Sequence, residues 1–178
     1  MTESHLTWHE IGSEPVYSGY TSVLRRSMRL PDGEVSDWDV VRGGATVAIV
    51  AITRQRTFLL VRQFRVGPNR ILAELPGGYV EPNEDVLEAA KRELREETGY
   101  VADRLSVLGQ SYLAANNTTI RHFVLADGAS RQGDPAWGAL EFCELVEVSG
   151  TDFIEHVRRG DLTDQACAYR ALDVLGML

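Results

Sequence analysis

Three glutamates near the end of a predicted helix, Glu93, Glu96 and Glu97, are the residues whose spacing most clearly indicates chemistry. On a helical wheel, Glu93 and Glu97 lie about 40° apart and extend the apolar stripe of the helix, whereas Glu96 lies on the other flank. Like charges one turn apart repel, and the C-terminal end of a helix disfavours negative charge. A carboxylate placed against a core is costly unless it is paired or bound to a metal.

Bound divalent cations account for this placement. Mg²⁺ and Mn²⁺ prefer carboxylate oxygens, and two glutamates at i and i+4 with a third nearby can gather one or more such ions. The alternative, a solvated acidic face with i,i+4 ion pairs, accounts for Glu88 beside Arg92 but not for Glu93 and Glu97. The pattern therefore favours a site for a divalent cation such as Mg²⁺ or Mn²⁺.

The elements that would position these carboxylates follow from local signals. Pro82 and Asn83 suit the entry of the helix, and Gly99 suits a C′ glycine that ends it. Apolar runs bounded by turn residues predict strands, the first two forming a hairpin, and two further segments predict helices. The predicted strands are 45–53, 57–64, 71–75, 105–114, 120–128 and 141–148, and the further helices are 150–160 and 162–176.

A separate β unit is predicted at the N-terminus around the turn signal "PDGEV". We therefore divide the chain into an N-terminal β subdomain, residues 1–42, and a main domain, residues 43–178. Alternating strands and helices with a predominantly β middle predict an α+β fold, with a mixed sheet or sandwich and helices outside it.

Composition is that of a soluble globular protein, with 178 residues, 44% hydrophobic and 25% charged. No apolar run approaches the roughly 20 residues that a membrane helix needs. The first residues show neither the basic nor the apolar region of a secretory signal. Two cysteines without metal-type spacing suit a reducing compartment. We therefore expect a cytoplasmic location and no membrane partner.

The net charge of −8 bears on the partners of the chain. A domain that binds nucleic acid usually carries a basic surface. The sequence shows no basic cluster of this kind, so we expect no nucleic-acid partner.

The carboxylate helix belongs to a longer motif. Starting at Gly78, the residues follow the pattern G-x5-E-x7-R-E-L-x-E-E-x-G-Y. This pattern resembles the Nudix box of the Nudix hydrolase family, and nine specified positions within 23 residues are too many for chance to be a good explanation. The matching residues are Gly78, Glu84, Arg92, Glu93, Leu94, Glu96, Glu97, Gly99 and Tyr100.

The resemblance implies an α/β/α sandwich with a mixed sheet, and hydrolysis of a nucleoside diphosphate linked to another group. The ligands that it assigns to Mg²⁺ or Mn²⁺ are Glu93, Glu96 and Glu97, with the backbone carbonyl of Gly77 as a further ligand. The residues to which it gives a structural role in the motif are Gly78, Glu84, Arg92 and Gly99, with an expected contact between Arg92 and Glu84.

Flanking segments look like the ADP-ribose pyrophosphatase branch of that family. "LLVRQFR" and "AELPGGYVEPNED" are similar to its lead-in to the box, and residues 1–42 match its N-terminal subdomain. In that branch Arg65 would contact substrate phosphate, and Glu141 would position or deprotonate the attacking water. The alternative for Arg65 is a surface arginine at a strand end, and the alternative for Glu141 is an ordinary glutamate at the start of a strand. With Glu93 and Glu97, Glu141 makes up the candidate catalytic carboxylates.

One loop departs from the pattern of the branch. The branch usually has a proline shortly after the box, in a loop that helps to select the substrate. Here the segment is "SYLAANNTTIRH", with Ala115 and Asn116 and no proline, and its polar side chains offer hydrogen-bonding groups instead. ADP-ribose is therefore one candidate among several nucleotide sugars. Tyr112 could stack on the base, or could simply be a tyrosine of a half-buried strand.

Together these features predict Mg²⁺-dependent hydrolysis of a nucleoside diphosphate sugar, ADP-ribose or similar, to a nucleoside monophosphate and a sugar phosphate. The expected partners are a small-molecule nucleotide and a second copy of the chain, because the branch is typically homodimeric through its N-terminal subdomain. The alternatives are hydrolysis of a dinucleoside polyphosphate or an RNA 5′ end, and a Nudix-fold nucleotide sensor without catalysis. The acidic charge argues against RNA, and the intact box argues against a sensor.

Overall fold

The computed structural model describes residues 5–178, which fall into two compact units. The first unit runs to Gly44 and also contains residues 112–120, and the second contains residues 45–111 and 121–178. Residues 1–4, which begin the predicted N-terminal subdomain, lie outside the described residues. The division of the chain between residues 42 and 43 stays a prediction.

The first unit contains a three-stranded antiparallel sheet of β1 (His9–Ser18), β2 (Ser22–Arg29) and β3 (Val35–Arg42). The predicted turn joins β2 to β3, where the Leu30 and Glu34 backbones are hydrogen bonded. Sequence patterns did not predict β1, because all ten of its residues are exposed and no alternation of apolar and polar residues marks it.

A larger sheet forms the second unit, with strands in the order β11-β5-β4-β10-β8 and with β6, β7 and β9 paired to β5, β4 and β10. The strands are β4 (Ala45–Thr53), β5 (Phe58–Arg65), β6 (Arg70–Glu74), β7 (Gly77–Tyr79), β8 (Tyr100–Val101), β9 (Arg104–Tyr112), β10 (Ile120–Arg131) and β11 (Cys143–Val148). The helices are α1 (Val86–Thr98), α2 (Gly150–Arg159) and α3 (Gln165–Val174). Most strand pairs are antiparallel. β4 and β10 are parallel, because backbone hydrogen bonds join Ile120 to Gly44 where both strands begin and Arg54 to Ala129 where both strands end.

Helices cover both faces of this sheet. β4 is buried on both sides, which explains its nearly continuous apolar run. One core joins β4 to α1 through Val47, Ile49, Ala51, Ala90 and Leu94. The other core joins β4 to α2 and α3 through Ala48, Val50, Ile52, Phe153 and Leu172. The predicted α+β fold, an α/β/α sandwich with a mixed sheet, is confirmed.

The start of α1 differs from the prediction. The N-cap is Asp85, whose side chain accepts the Leu87 N–H at 2.8 Å, so Pro82 and Asn83 lie before the helix. Asn83 has a φ of 66°, a left-handed conformation that an α-helix does not contain. The predicted end is confirmed, because Gly99 adopts the left-handed conformation and closes the last turn.

No helix among residues 5–178 is long and apolar enough to cross a membrane.

Candidate functional site

A cleft of about 380 Å³ opens beside α1 in the second unit. Side chains from β5, β7, α1 and the segment before β11 line it, so residues far apart in sequence meet there. The lining residues are Gln63, Arg65, Gly77, Gly78, Tyr79, Glu81, Arg92, Glu93, Glu97 and Glu141.

Glu97 is the most strongly perturbed acid of this cleft. Its Oε2 accepts the backbone N–H of Gly77 at 2.8 Å, which joins α1 to β7. Burial raises the pKa of the Glu97 carboxyl to about 7; Glu93 and Glu141 also raise it, while the Gly77 bond and Arg65 lower it. A carboxyl with a pKa near 7 suits proton transfer at neutral pH.

Glu93 lies against the backbone of Gly78. A Cβ at that position would come within 2.5 Å of Glu93 Oε1, so any larger residue would displace the carboxylate. Burial raises the pKa of the Glu93 carboxyl, and its hydrogen bond from Arg92 lowers it. The wheel prediction is confirmed, because the Glu93 side chain is 13% exposed and that of Glu96 is 50% exposed.

Arg92 connects the loop before α1 to the helix. Its guanidinium makes two bonds to the Glu84 carboxylate, at 2.9 and 3.0 Å, and one to the Tyr79 carbonyl at 2.9 Å. Its Nη1 donates to Glu93 Oε1 at 2.7 Å and to Glu96 Oε2 at 3.3 Å. The hydrogen bonds from Arg92 are the main reason that the pKa of the Glu84 carboxyl is lowered to about 2, and the hydrogen bond from the Glu81 N–H adds to the effect. The expected contact between Arg92 and Glu84 is thus present.

The partner of Glu88 differs from the one considered in the sequence analysis. Glu88 Oε2 lies 3.6 Å from Lys91 Nζ, both on the exposed side of α1, while Arg92 turns toward the loop and the cleft. Glu88 is therefore an ordinary surface carboxylate of the same helix.

The loop that follows β10 satisfies the carbonyls at the end of α1. The Ala136 N–H donates to the Glu96 carbonyl at 2.7 Å, and the indole N–H of Trp137 donates to the Glu97 carbonyl at 3.0 Å. The Gly99 carbonyl accepts two further backbone bonds from the same loop. These donors offset the partial negative charge at the helix end, where the glutamates cluster. No local sequence pattern indicates this role of Trp137.

Glu141 and Arg65 reach the cleft from neighbouring positions, since Glu141 precedes the start of β11 and Arg65 lies at the adjacent end of β5. Glu141 follows a tight turn and its Oε2 accepts the Gly138 N–H at 2.6 Å. Arg65 ends β5, with its side chain 37% exposed. Because each of the two shifts the pKa of Glu97, both lie close enough to act electrostatically on that carboxyl. Their predicted roles in catalysis and phosphate binding stay predictions.

Two of the residues predicted to bind metal or substrate do not line this cleft. Glu96 faces a neighbouring groove along α1. Tyr112 belongs to the first unit, where its exposed side chain lines a different cleft with Arg26 and Asn117. In that loop Asn117 Oδ1 accepts the Thr119 N–H, so its amide oxygen stabilises the loop itself.

In the described part of the chain, no three His, Cys, Asp or Glu side chains converge in an arrangement that could hold a metal ion. Arg92 engages Glu93 and Glu96, and the Gly77 N–H engages Glu97. The donor set nevertheless fits a hard divalent cation, because it offers carboxylate oxygens from adjacent turns, two of them partly desolvated. A bound cation would offset the cost of burying these negative charges. The metal ligands stay a prediction.

The raised pKa of Glu97 predicts a pH-dependent stability in metal-free protein. Between the ordinary pKa of 4.5 and about 7, the folded state binds a proton that the unfolded state has lost, so stability falls as pH rises through this window. Glu97→Gln removes this effect. We expect the variant to exceed the wild type in unfolding free energy by on the order of 2–3 kcal/mol at pH 8 and to match it near pH 4.

Urea denaturation of EDTA-treated protein at the two pH values measures this difference. Glu88→Gln, an exposed carboxylate of the same helix, controls for the loss of one charge. A Glu97→Gln variant that is equally destabilised at both pH values would show that burial does not oppose the charge of Glu97.

Comparisons with known proteins identify relatives over nearly the whole chain. Residues 43–166 match the NUDIX domain. The chain is 32% identical over 166 residues to the ADP-ribose pyrophosphatase of Bacillus subtilis (strain 168), covering 89% of this chain and 88% of that protein. It is 29% identical over 157 residues to the methanol dehydrogenase activator of Bacillus methanolicus, covering 86% and 85%. A solved structure of an ADP compounds hydrolase shares the fold, with a TM-score of 0.83 and 21% identity over 97% of this chain and 98% of that one.

Proposed function

The chain belongs to the Nudix family and is a Nudix pyrophosphohydrolase, and we propose that it hydrolyses a nucleoside diphosphate sugar to a nucleoside monophosphate and a sugar phosphate. ADP-ribose is the first candidate, because a relative of 32% identity is named for that substrate. We further propose Mg²⁺ as the cofactor, with Mn²⁺ as the alternative.

The observation that carries this proposal is the composition of the cleft beside α1. Glu97 and Glu93 are partly buried acids with raised pKa values, and Arg65 lies near enough to lower the pKa of Glu97. An anionic diphosphate needs positive charge to enter a site of this kind, and a water molecule needs a base to attack it. The cleft combines a cationic side chain with candidate bases, which suits attack of water on a diphosphate.

The proposed metal ligands are Glu93, Glu96, Glu97 and the backbone carbonyl of Gly77. A divalent ion bound there would neutralise the diphosphate and lower the pKa of a bound water. Arg92 would hold the loop and the helix in register, because its bonds to Glu84 fix the approach of the two segments.

The roles of the chain's own groups follow from their positions. Arg65 would bind a phosphate oxygen of the substrate. Glu97, with a pKa near 7, and Glu141, held by the Gly138 N–H, are the two candidates for accepting the proton of the attacking water. A contact between Tyr112 and the nucleoside base stays a prediction, because Tyr112 lies in the first unit and lines a different cleft.

We propose that the active form is a homodimer assembled through the first unit. The rings of Trp8 and Trp38 pack at a centroid distance of 5.4 Å, yet the two residues remain 41% and 48% exposed. The same sheet exposes further large apolar side chains, among them Ile11, Val16, Tyr17 and Val35. Exposed apolar clusters of this kind mark interfaces, and buried tryptophans are frequent anchors there.

The proposed cytoplasmic location is supported by the cysteines, since Cys143 and Cys167 are both free thiols. The acidic charge of the chain supports the expectation that no nucleic acid is bound.

Hydrolysis of a substrate panel with Mg²⁺ tests the proposed function. The panel contains ADP-ribose, ADP-glucose, GDP-mannose, UDP-glucose, NADH, a diadenosine polyphosphate and 8-oxo-dGTP. We expect turnover of a nucleotide sugar, with a nucleoside monophosphate and a sugar phosphate as products. Nucleotide binding without turnover of any member would instead favour a sensor.

A further inference from the structure

Glu74 is a fully buried carboxylate that the proposed reaction does not use. It ends β6 and its side chain is 0% exposed, whereas glutamates are almost never fully buried unless they are paired. In the sequence Glu74 lies within the short apolar segment 71–75, where no alternation of apolar and polar residues distinguishes it. A charge in such a position has a specific partner or a specific role.

One oxygen of Glu74 is satisfied by a single residue. Oε2 accepts both the backbone N–H of Thr163, at 2.9 Å, and the Thr163 hydroxyl, at 2.8 Å. Thr163 lies just before α3, so this pair of bonds fixes the carboxylate group between β6 and the loop that precedes that helix. The orientation of the second oxygen follows from this anchoring.

The second oxygen of Glu74 points at the cationic residue of the cleft. Oε1 lies 3.6 Å from Arg65 Nε, an ion pair that is too long for a hydrogen bond. Both atoms are buried, and neither has a hydrogen-bond partner. The buried Nε of Arg65 therefore interacts with a buried negative charge while the side chain as a whole remains 37% exposed and lines the cleft.

The position of Arg65 on β5 explains why it needs such support. Gln63 and Arg65 both line the cleft, and Phe64 between them faces the opposite side and is 54% exposed, as the alternation of a strand requires. Arg65 is the last residue of the strand, and a long side chain at a strand end has many rotamers available. Fixing one of them in advance reduces the entropy lost when a ligand binds.

We propose that Glu74 is a positioning residue that holds Arg65 in place to bind a phosphate group of the substrate. The proposal rests on the phosphate-binding role of Arg65 in the proposed function. Glu74 acts through Arg65 and touches no substrate atom, while Thr163 holds Glu74. The chemical class recognised is a nucleoside diphosphate.

Binding of ADP, measured by isothermal titration calorimetry, tests the proposal without requiring turnover. Glu74→Gln keeps an acceptor for Thr163 but places an amide opposite the Nε of Arg65, so we expect ADP binding to weaken about tenfold, the equivalent of one moderate charged contact. Arg65→Gln should weaken binding by at least as much. The double variant should bind ADP no more weakly than Arg65→Gln alone, because both changes remove the same interaction.

Additive losses in the double variant, or an unchanged dissociation constant in Glu74→Gln, would overturn the proposal. If Glu74→Gln does not fold, Glu74→Asp replaces it, since it keeps the charge but withdraws it from Arg65 by one methylene. Glu144→Gln is the matched control. It removes an exposed carboxylate of β11 that pairs with Arg62, an arginine on the same strand as Arg65, and it should leave ADP binding unchanged.

The outcomes separate this inference from the proposed function. A wild-type protein that binds ADP but hydrolyses no panel member contradicts the proposed hydrolysis alone. Wild-type protein that binds no ADP contradicts the phosphate role of Arg65 and the inference with it.

Discussion

Replacing Glu97 by Gln is expected to lower kcat for the nucleotide sugar by about 10²–10⁴-fold, with little change in KM. Gln preserves the size of the side chain and can still accept the Gly77 N–H, so the contact between α1 and β7 survives. It cannot carry a negative charge or accept a proton from water. The loss should therefore fall on the chemical step, and steady-state kinetics with the preferred panel substrate measure it.

Glu88→Gln is the control for this substitution. Glu88 lies on the same helix, and its carboxylate pairs only with exposed Lys91 at 3.6 Å among the described ion pairs. We expect its kcat and KM to equal those of the wild type. A Glu97→Gln variant that retains more than about a tenth of wild-type kcat would remove Glu97 from the set of reacting groups, since a general base contributes at least 10²-fold.

Chelation of divalent ions by EDTA is expected to abolish turnover, and added Mg²⁺ or Mn²⁺ should restore it. The physical reason is that the partly buried carboxylates Glu93 and Glu97 repel an anionic diphosphate, and a bound divalent ion would offset that repulsion. Mg²⁺ should also raise the unfolding temperature at pH 8, because a ligand that binds only the folded state stabilises it. Activity assays and thermal unfolding with and without EDTA measure the two effects.

Glu93→Gln tests whether these carboxylates are responsible. We expect the variant to lose most of the stabilisation by Mg²⁺, whereas Glu88→Gln should keep it. Full activity in EDTA would contradict the proposed metal dependence, and the same Mg²⁺ stabilisation in Glu93→Gln as in the wild type would place the metal elsewhere.

The arrangement of carboxylates on α1 could be predicted because helix periodicity and the burial of an apolar stripe determine it. The wheel places Glu93 on the apolar stripe and Glu96 on the other flank, and in the structure the Glu93 side chain is 13% exposed and that of Glu96 is 50% exposed. Likewise β4 was predicted with its observed bounds, because a strand buried on both faces has a continuous apolar run. Local patterns are informative where one physical effect dominates.

Other features depend on effects that leave no local pattern. β1 is exposed along its whole length, so no apolar alternation reveals it. The left-handed conformation of Asn83 moves the start of α1 to Val86, and asparagine can adopt that conformation without being required to.

Contacts between residues far apart in the sequence could not be predicted for a different reason. Trp137 donates to the Glu97 carbonyl across 40 residues, and Glu74 binds Thr163 across 89 residues. These bonds exist only once the sheet has brought the segments together, and a single sequence contains no record of that proximity. The sequence thus predicts the carboxylates of the site and Arg92 beside them, but not the contacts that distant segments supply.

Hydrolysis of ADP-ribose, or of whichever panel member is turned over, in ¹⁸O-labelled water with Mg²⁺ tests the proposed reaction most directly. Mass spectrometry of the products then shows which phosphorus was attacked. We expect a nucleoside monophosphate and a sugar phosphate, with one ¹⁸O atom in one of the two, and labelled product from Glu97→Gln at least about 100-fold more slowly. Release of inorganic phosphate or of an intact nucleoside diphosphate, or equal labelling by the variant, would contradict this expectation.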